Sequence, residues 1–336
     1  MANLLIKPTT GSGNKIIIQD QAGGDILTSA DSGATIENAT FPTVKLTPTA
    51  TASAPTGVEG ALYYDSDKKS VMYYDGTAWL RVSQTKLPGI SKSYSGSFDG
   101  TDDYIDVSNN AVVDYFQAHT NHTMSAWFKA DTAETACIFS LDDDTGWHHN
   151  NLIYTKSGGV HGSYVASGDI CSTSYPMTYV GAWHHAVMTV THSNSGTPTS
   201  GTSIAKLYID GEERSSSGTV STTTITNATD YGTIGKYHIG GDSHISGMTQ
   251  TGGSPGYHFD GLITEVSTWN TALSSSEVEA IYNLGTPIDL SQNNGGYGAS
   301  SSLTAWWRTE NNANDSGSNG WNGSASGVGY PGTYPS

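Results

Sequence analysis

The feature that most narrows the possible folds is a repeating texture. Short apolar and aromatic runs are each cut off by Gly, Asp, Asn or Ser before they grow long enough for a helix. From about Ser91 the runs recur at regular spacing. Ser97 to Gly100, Tyr104 to Val107, Thr123 to Lys129, Cys137 to Ser140, Leu152 to Tyr154, Trp183 to Val190, Ala205 to Asp210, His238 to Gly240 and Phe259 to Val266 each read as one strand. Asp210-Gly211 marks a hairpin turn. This density of strands predicts an all-β chain whose larger part is a two-sheet sandwich. One short helix interrupts it: Ser274 can cap, Glu277 completes a capping box, Leu273 and Val278 form a hydrophobic staple, and Gly285 with Pro287 ends it.

Composition agrees and removes several functions. Forty glycines, 19 tyrosines and eight tryptophans with only 13% charged residues suit tight turns and aromatic layers between sheets. The formal charge is 14 − 31 = −17. Such a surface repels phosphate backbones and anionic bilayers, so nucleic acid and membrane surfaces are not expected partners. No stretch approaches the roughly 18 consecutive apolar residues of a membrane span. The start, Met1 to Pro8, lacks the basic region and apolar core of a secretory signal, which predicts retention or release by a route needing none. Cys137 and Cys171 have no metal-ligand spacing and are expected as two reduced, buried thiols, with a pairing between neighbouring strands left open.

The first 85 residues differ from the rest. In residues 1–48, Ile16-Ile17-Ile18 and Ile26-Leu27 flank the polar turn from Gln21 to Asp25, which reads as a hairpin or a β-bend. Residues 49–59 continue a Pro/Thr/Ala run that predicts an extended linker. Residues 60–85 hold the near-repeats Leu62-Tyr63-Tyr64-Asp65 and Val71-Met72-Tyr73-Tyr74-Asp75, then Gly76 and Trp79. Strands this few cannot bury enough surface to fold alone. Packing of Ile16, Ile18, Tyr63, Tyr64, Tyr73, Tyr74 and Trp79 against symmetry mates would supply the missing core.

Two resemblances attach to these motifs. The segments Asn14 to Gly23 and Thr28 to Ile36 resemble the amino-terminal part of structural and fibre proteins of marine tailed phages, and the Gly60–Trp79 hairpin is similar to short repeats in phage tail and head fibres. That resemblance implies a virion location, a homotrimer and other virion proteins as partners. Over residues 92–285, the ordered motifs Phe98-Asp99-Gly100, Ser125-Ala126-Trp127-Phe128, Trp183-His184-His185-Ala186, Leu207-Tyr208-Ile209-Asp210-Gly211, Ile239-Gly240-Gly241 and Phe259 to Val266 resemble the laminin-G-like and pentraxin branch of concanavalin A-like folds. The run Leu303 to Arg308, which looks like the strand that usually opens such domains, comes last here and is expected to close residues 91–336 from the C-terminus.

Members of that branch often bind Ca²⁺ and carbohydrate. The oxygen-rich run Asp142, Asp143 and Asp144 precedes Asn150, which matches an amide ligand of the pentraxin pattern, and Asp242 falls on the loop carrying its acids. His149 and His244 stand where that pattern has acids, so the alternatives are one bound Ca²⁺ or a solvated acidic loop. Asp99, Asp102 and Asp103 form a second candidate whose competing reading is turn chemistry. Adjacent His184 and His185 point to opposite faces of a strand and cannot chelate jointly. Trp147, Tyr164, Tyr175 and Tyr257 fall in loop-like stretches and are candidate glycan-stacking residues. Catalysis is not expected: Glu265 has no acidic neighbour two residues away, and no nucleophile elbow, zinc motif or phosphate loop occurs. The sequence therefore predicts a phage appendage displaying a lectin-like domain for host-surface glycan or protein, with ligand-free decoration as the alternative and a carbohydrate-active enzyme as a minor one.

Overall fold

The computed structural model describes residues 17–19, 25–30, 33–36, 45–66, 70–76, 79–82, 86–108, 121–143, 149–156, 158–166, 169–193, 202–217, 220–221, 230–237 and 256–335. The chain divides into two compact units, Met1–Gln84 and Thr85–Ser336.

The first unit holds two sheets. Strands β1 (Ile17–Gln19), β2 (Asp25–Ala30) and β3 (Gly33–Ile36) form an antiparallel meander. Strands β4 (Pro48–Thr49), β5 (Leu62–Asp65), β6 (Ser70–Tyr74) and β7 (Trp79–Arg81) form the second sheet in that order. The Pro/Thr/Ala run is more than a spacer. It supplies β4, which pairs in parallel with β5, and Pro55 accepts a hydrogen bond from the Trp79 indole at 3.1 Å. A Cβ on Gly57 would strike the Tyr74 ring, so only glycine lets the run lie this close.

The second unit is a sandwich. Its eight-stranded sheet runs β17 (Glu212–Ser216), β16 (Thr202–Ile209), β15 (His184–His192), β10 (His122–Ala130), β20 (Asp260–Trp269), β21 (Leu303–Trp307), with β18 (Val220–Ser221) beside β16 and β8 (Gly96–Asp99) beside β20. The seven-stranded sheet runs β14 (Asp169–Pro176), β13 (Gly159–Ala166), β12 (His149–Lys156), β11 (Ala136–Asp143), β19 (Asp230–Ile234), β9 (Tyr104–Asp106), β22 (Ser324–Ser326). Phe98, Ile105, Met124, Phe128, Phe139, Val266 and Trp307 fill the space between the sheets. Helix α1 (Ser275–Tyr282) lies on the outer face of the larger sheet, where Val278 and Ile281 join Trp269, Tyr297 and Trp306. Ser274 caps it and Glu277 closes the capping box, as its sequence predicts.

Strand β10 is buried on both faces because the core covers one and the helical layer the other. Burying an aromatic side chain contributes roughly 2–3 kcal/mol, so Trp269 and Trp307, both fully buried, are principal anchors of the two layers. The C-terminal run pairs Leu303–Trp307 with β20, then crosses to the other sheet as β22 beside β9.

Candidate functional site

Two chemical clusters stand out among the described residues, one at the surface and one buried. The surface cluster is the turn between β8 and β9, where Asp99, Asp102 and Asp103 bring carboxylate oxygens within 4.8 Å of one another. Asp-Gly chemistry builds it: Asp99 Oδ1 accepts from the Thr101 amide at 2.8 Å and the Asp102 amide at 3.3 Å, and Asp103 Oδ2 accepts from the Asp99 amide at 3.0 Å. The Thr101 amide holds the exposed Asp99 carboxyl below its usual range. Burial, then the charge of Asp99, pushes Asp103 above its own. Gly327 at φ 75° presses on Asp103 so closely that no side chain fits there. His258 Nδ1 lies 3.3 Å from the Asp103 carbonyl, and its chain neighbour Tyr257, half-buried, packs on the cluster of Cys137, Leu152, Tyr154 and Tyr237. The turn is thus well made without a ligand, while Asp102 and the second oxygens of its neighbours still offer donors to a hard cation.

The buried cluster centres on Glu265. A register shift in β20 opposite Ser125–Trp127 leaves Glu265 at φ 52° and fully buried. It pairs with Lys92 and accepts from the Trp306 indole, while Arg308 Nε lies 3.7 Å away. Burial raises the Glu265 pKa and lowers that of Lys92, each against the attraction of the other. Nearby, Ser125 Oγ is 2.7 Å from His185 Nε2. A Ser, a His and a Glu in one place suggest hydrolytic chemistry, but with Ile281 and Leu290 they line a cavity of about 10 Å³. That is room for about one water and none for a sugar ring. No local pattern signals that Lys92, Trp306 and Arg308 converge on Glu265, because the contacts span the whole unit.

The sequence-derived candidates separate in space. Tyr164 requires correction: it sits in β13, fully buried in the inter-sheet core, so its ring has no face to offer a sugar. Tyr175 is on the edge strand β14, half-buried against the same core, with the Arg214 guanidinium 4.9 Å from its ring centre. Tyr257 lies on the opposite, outer side of that sheet. The structure therefore does not gather these tyrosines into one platform. Asp142 and Asp143 close β11 as strand residues instead of opening a loop, and Asp142 is buried. Asn150 lies in β12, opposite Asp142. Asp144, Trp147, Asp242 and Ile16 fall outside the described residues. Ile18 pairs with Leu27 in β1. Cys137 is a buried free thiol, pushed well above its ordinary pKa by burial. His184 and His185 do face opposite ways, toward Phe128 of the core at 5.9 Å and toward Trp127 of the outer layer at 4.7 Å.

Solved structures offer distant likenesses. A native heptameric SAP-like pentraxin from Limulus polyphemus is 17% identical, with TM-score 0.43 over 72% of this chain and 96% of that one. The Ruminococcus gnavus IT-sialidase CBM40 is 16% identical, with TM-score 0.38 over 58% of this chain and 97% of that one. Full-length tailspike protein 2 from Escherichia coli O157:H7 bacteriophage CAB120 is 11% identical, with TM-score 0.35 over 71% of this chain and 32% of that one. Function does not follow from likenesses of this kind. No curated protein matches the sequence significantly. The family model Laminin_G_3, described as the concanavalin A-like lectin/glucanases superfamily, matches residues 99–279, more than half of the chain, and the protein belongs to that family.

Proposed function

We propose that the protein is a virion-surface appendage of a tailed bacteriophage, in which an oligomeric stem built by the first unit displays several copies of the lectin-type sandwich to host-surface glycan. The observation that carries this reading is the joining of a sandwich of the lectin superfamily to a small β unit whose four-stranded sheet has very little described interior of its own. Among the residues between 45 and 82 whose side chains are described, only Tyr63, Asp65 and Met72 are buried. The resemblance of its segments to phage fibre proteins supports the virion setting, with further copies of the chain and other virion proteins as partners. Binding, and not turnover, is the proposed activity, since the catalytic-looking Ser125, His185 and Glu265 face a space for one water. Several weakly binding sandwiches on one stem reach useful avidity through effective concentration.

The glycan-facing end is assigned to the rim carrying Asp99, Asp102, Asp103, Tyr257 and His258. There carboxylates can accept from sugar hydroxyls or share a Ca²⁺, and a half-exposed aromatic ring can cover an apolar sugar face. An array of bacterial surface polysaccharides probed with the full chain, with and without Ca²⁺, tests this. Retention that falls when Asp102→Ala is introduced supports the assignment. Uniform silence from a folded, oligomeric chain overturns the adhesin and favours ligand-free decoration. Antibody raised against residues 85–336 should label intact virions, and product release from polysaccharide would contradict a purely binding role.

A further inference from the structure

The buried cluster around Glu265 is arranged for more than an ion pair. Lys92 and Glu265 meet with their side chains 0% and 2% exposed. Two neutral oxygens stand on the other sides of the Lys92 nitrogen. One is the Arg308 carbonyl, and the other is the Thr264 hydroxyl at 3.3 Å, which gives its own proton to that carbonyl at 2.9 Å. A free amine has two N–H groups to place and one lone pair. With the N–H groups on those two oxygens, the lone pair faces the Glu265 carboxyl. The Trp306 indole donates to the far carboxyl oxygen, which draws electrons away from the carboxyl carbon as an oxyanion-hole donor does. Glu310 Oε2 stands 3.8 Å from the same nitrogen, and the Tyr334 ring covers it, centred 5.1 Å away.

The surroundings favour the reactive form of each group. Burial pushes Lys92 toward its free amine and Glu265 toward its protonated acid, with Arg308 pulling against that shift in Glu265 from 3.7 Å. Amine and carboxylic acid together can condense, which ammonium and carboxylate cannot. In bulk water such a pair stays apart as separate groups. Fixed in contact, the two act at an effective concentration of about 10⁵–10⁸ M, which reverses that balance. Glu265 also borders the cavity of about 10 Å³ that it shares with Ser267, room for the single water a condensation releases.

We propose that Lys92 and Glu265 are a self-modification site, at which the folded chain joins its own two side chains by an isopeptide bond. Lys92 Nζ attacks Glu265 Cδ, and a C–N bond forms as the C–O bond to the carboxyl hydroxyl breaks. The proton leaving nitrogen is carried by Glu310 to that hydroxyl, and one water departs. Nothing is oxidised or reduced, so the step needs no co-reactant. The ion pair of the folded chain is its starting state. The product fastens the chain where it enters the sandwich to β20, which is paired with β10, β8 and β21. A pull arriving from the first unit would then load that strand instead of peeling β8 from the sheet. The bond does not depend on the host-surface role proposed above, and either can fail alone.

Intact-mass spectrometry of the full chain is the test, on protein shown by circular dichroism to be folded and then denatured for the measurement. The wild type should be lighter than its sequence by one water. Lys92→Arg keeps the positive charge but cannot condense, and should have its full sequence mass. Trypsin should spare the bond after Lys92 in the wild type and leave a branched peptide that joins residues 87–129 to residues 237–308. This second readout needs no variant, so a Lys92→Arg chain that fails to fold does not disable the test. A folded wild type at full sequence mass, with ordinary cleavage after Lys92, overturns the proposal. A water loss that persists in Lys92→Arg overturns it too, because dehydration at an Asp-Gly turn such as Asp210-Gly211 would account for it.

Discussion

The sandwich should lose stability in acid through one buried imidazole. His185 lies between β10 and β16, fully buried, with near-parallel rings around it: Trp127 at 4.7 Å and Tyr282 at 6.2 Å. Nε2 bonds to Ser125 Oγ, and Nδ1 has no hydrogen-bond partner among the described residues. A second proton would therefore place an unpaired N–H and a charge in an apolar layer, and burial holds the pKa down at about 3 against an ordinary 6.5. The folded form stays neutral where the unfolded form takes a proton, so the contribution is complete above pH 6.5 and is lost as pH falls from 6.5 toward 3. At 1.36 kcal/mol per unit, the 1.5 units between 6.5 and pH 5 amount to about 2 kcal/mol. The whole window is worth about 5 kcal/mol.

Other histidines and carboxylates titrate over the same range, so the measurement must be a difference. His185→Gln keeps a planar, neutral hydrogen-bonding group and removes the titration. Its fixed cost, from altered stacking, does not depend on pH. Urea unfolding of the full chain followed by tryptophan fluorescence at pH 7, 6 and 5 should show the wild type losing about 2 kcal/mol more than the variant over that range. Parallel losses, within about 0.5 kcal/mol, would refute the claim that this imidazole is held neutral by its surroundings.

Three further outcomes follow from single contacts. Glu265→Ala leaves the buried Lys92 with only the more distant Glu310 carboxylate at 3.8 Å and should cost about 3 kcal/mol in the thermal unfolding of the sandwich, more than Lys206→Ala, which breaks an exposed pair. Ser274→Ala removes the cap of α1 and should cost about 1 kcal/mol by chemical denaturation. Gly261→Ala drives a methyl into the Lys129 carbonyl at φ 138°, and soluble folded protein should fall sharply in expression trials.

What the sequence discloses and what it hides follow from how local the information is. The alternation of Thr123 to Lys129, the Asp210-Gly211 turn and the cap at Ser274 are local, and β10, the β16–β17 hairpin and α1 appear where they predict. Strands β13 and β14 are absent from the expected strands, and β13 carries Gly159 and Gly162 where a side chain would mark a strand. In the sheet those glycines answer to a neighbour: a Cβ on Gly159 would collide with the Tyr175 carbonyl, and one on Gly162 would crowd Thr173. Misreading that stretch is also why Tyr164 reads as a loop residue. The acidic turn is legible as Asp-Gly chemistry, whereas its closure by Gly327 joins positions more than two hundred residues apart.

The same distance explains why Glu265 is a bulged, buried acid in a strand that otherwise needs none. Lys92 stands just before β8, where the chain enters the sandwich, and Arg308 and Glu310 stand where it leaves β21. Ser95 and Ser97 bond to Pro331 and Gly329, so entry and exit run side by side over the same strand. Charges at that junction cost desolvation that packed leucines would not. Here β20 takes β8 on one stretch and β21 on the next, and a slip by one residue would turn Phe98 and Trp307 out of the core. Glu265, held by Lys92 and Trp306 with Arg308 beside it, lies at the point where both chain ends of the domain meet.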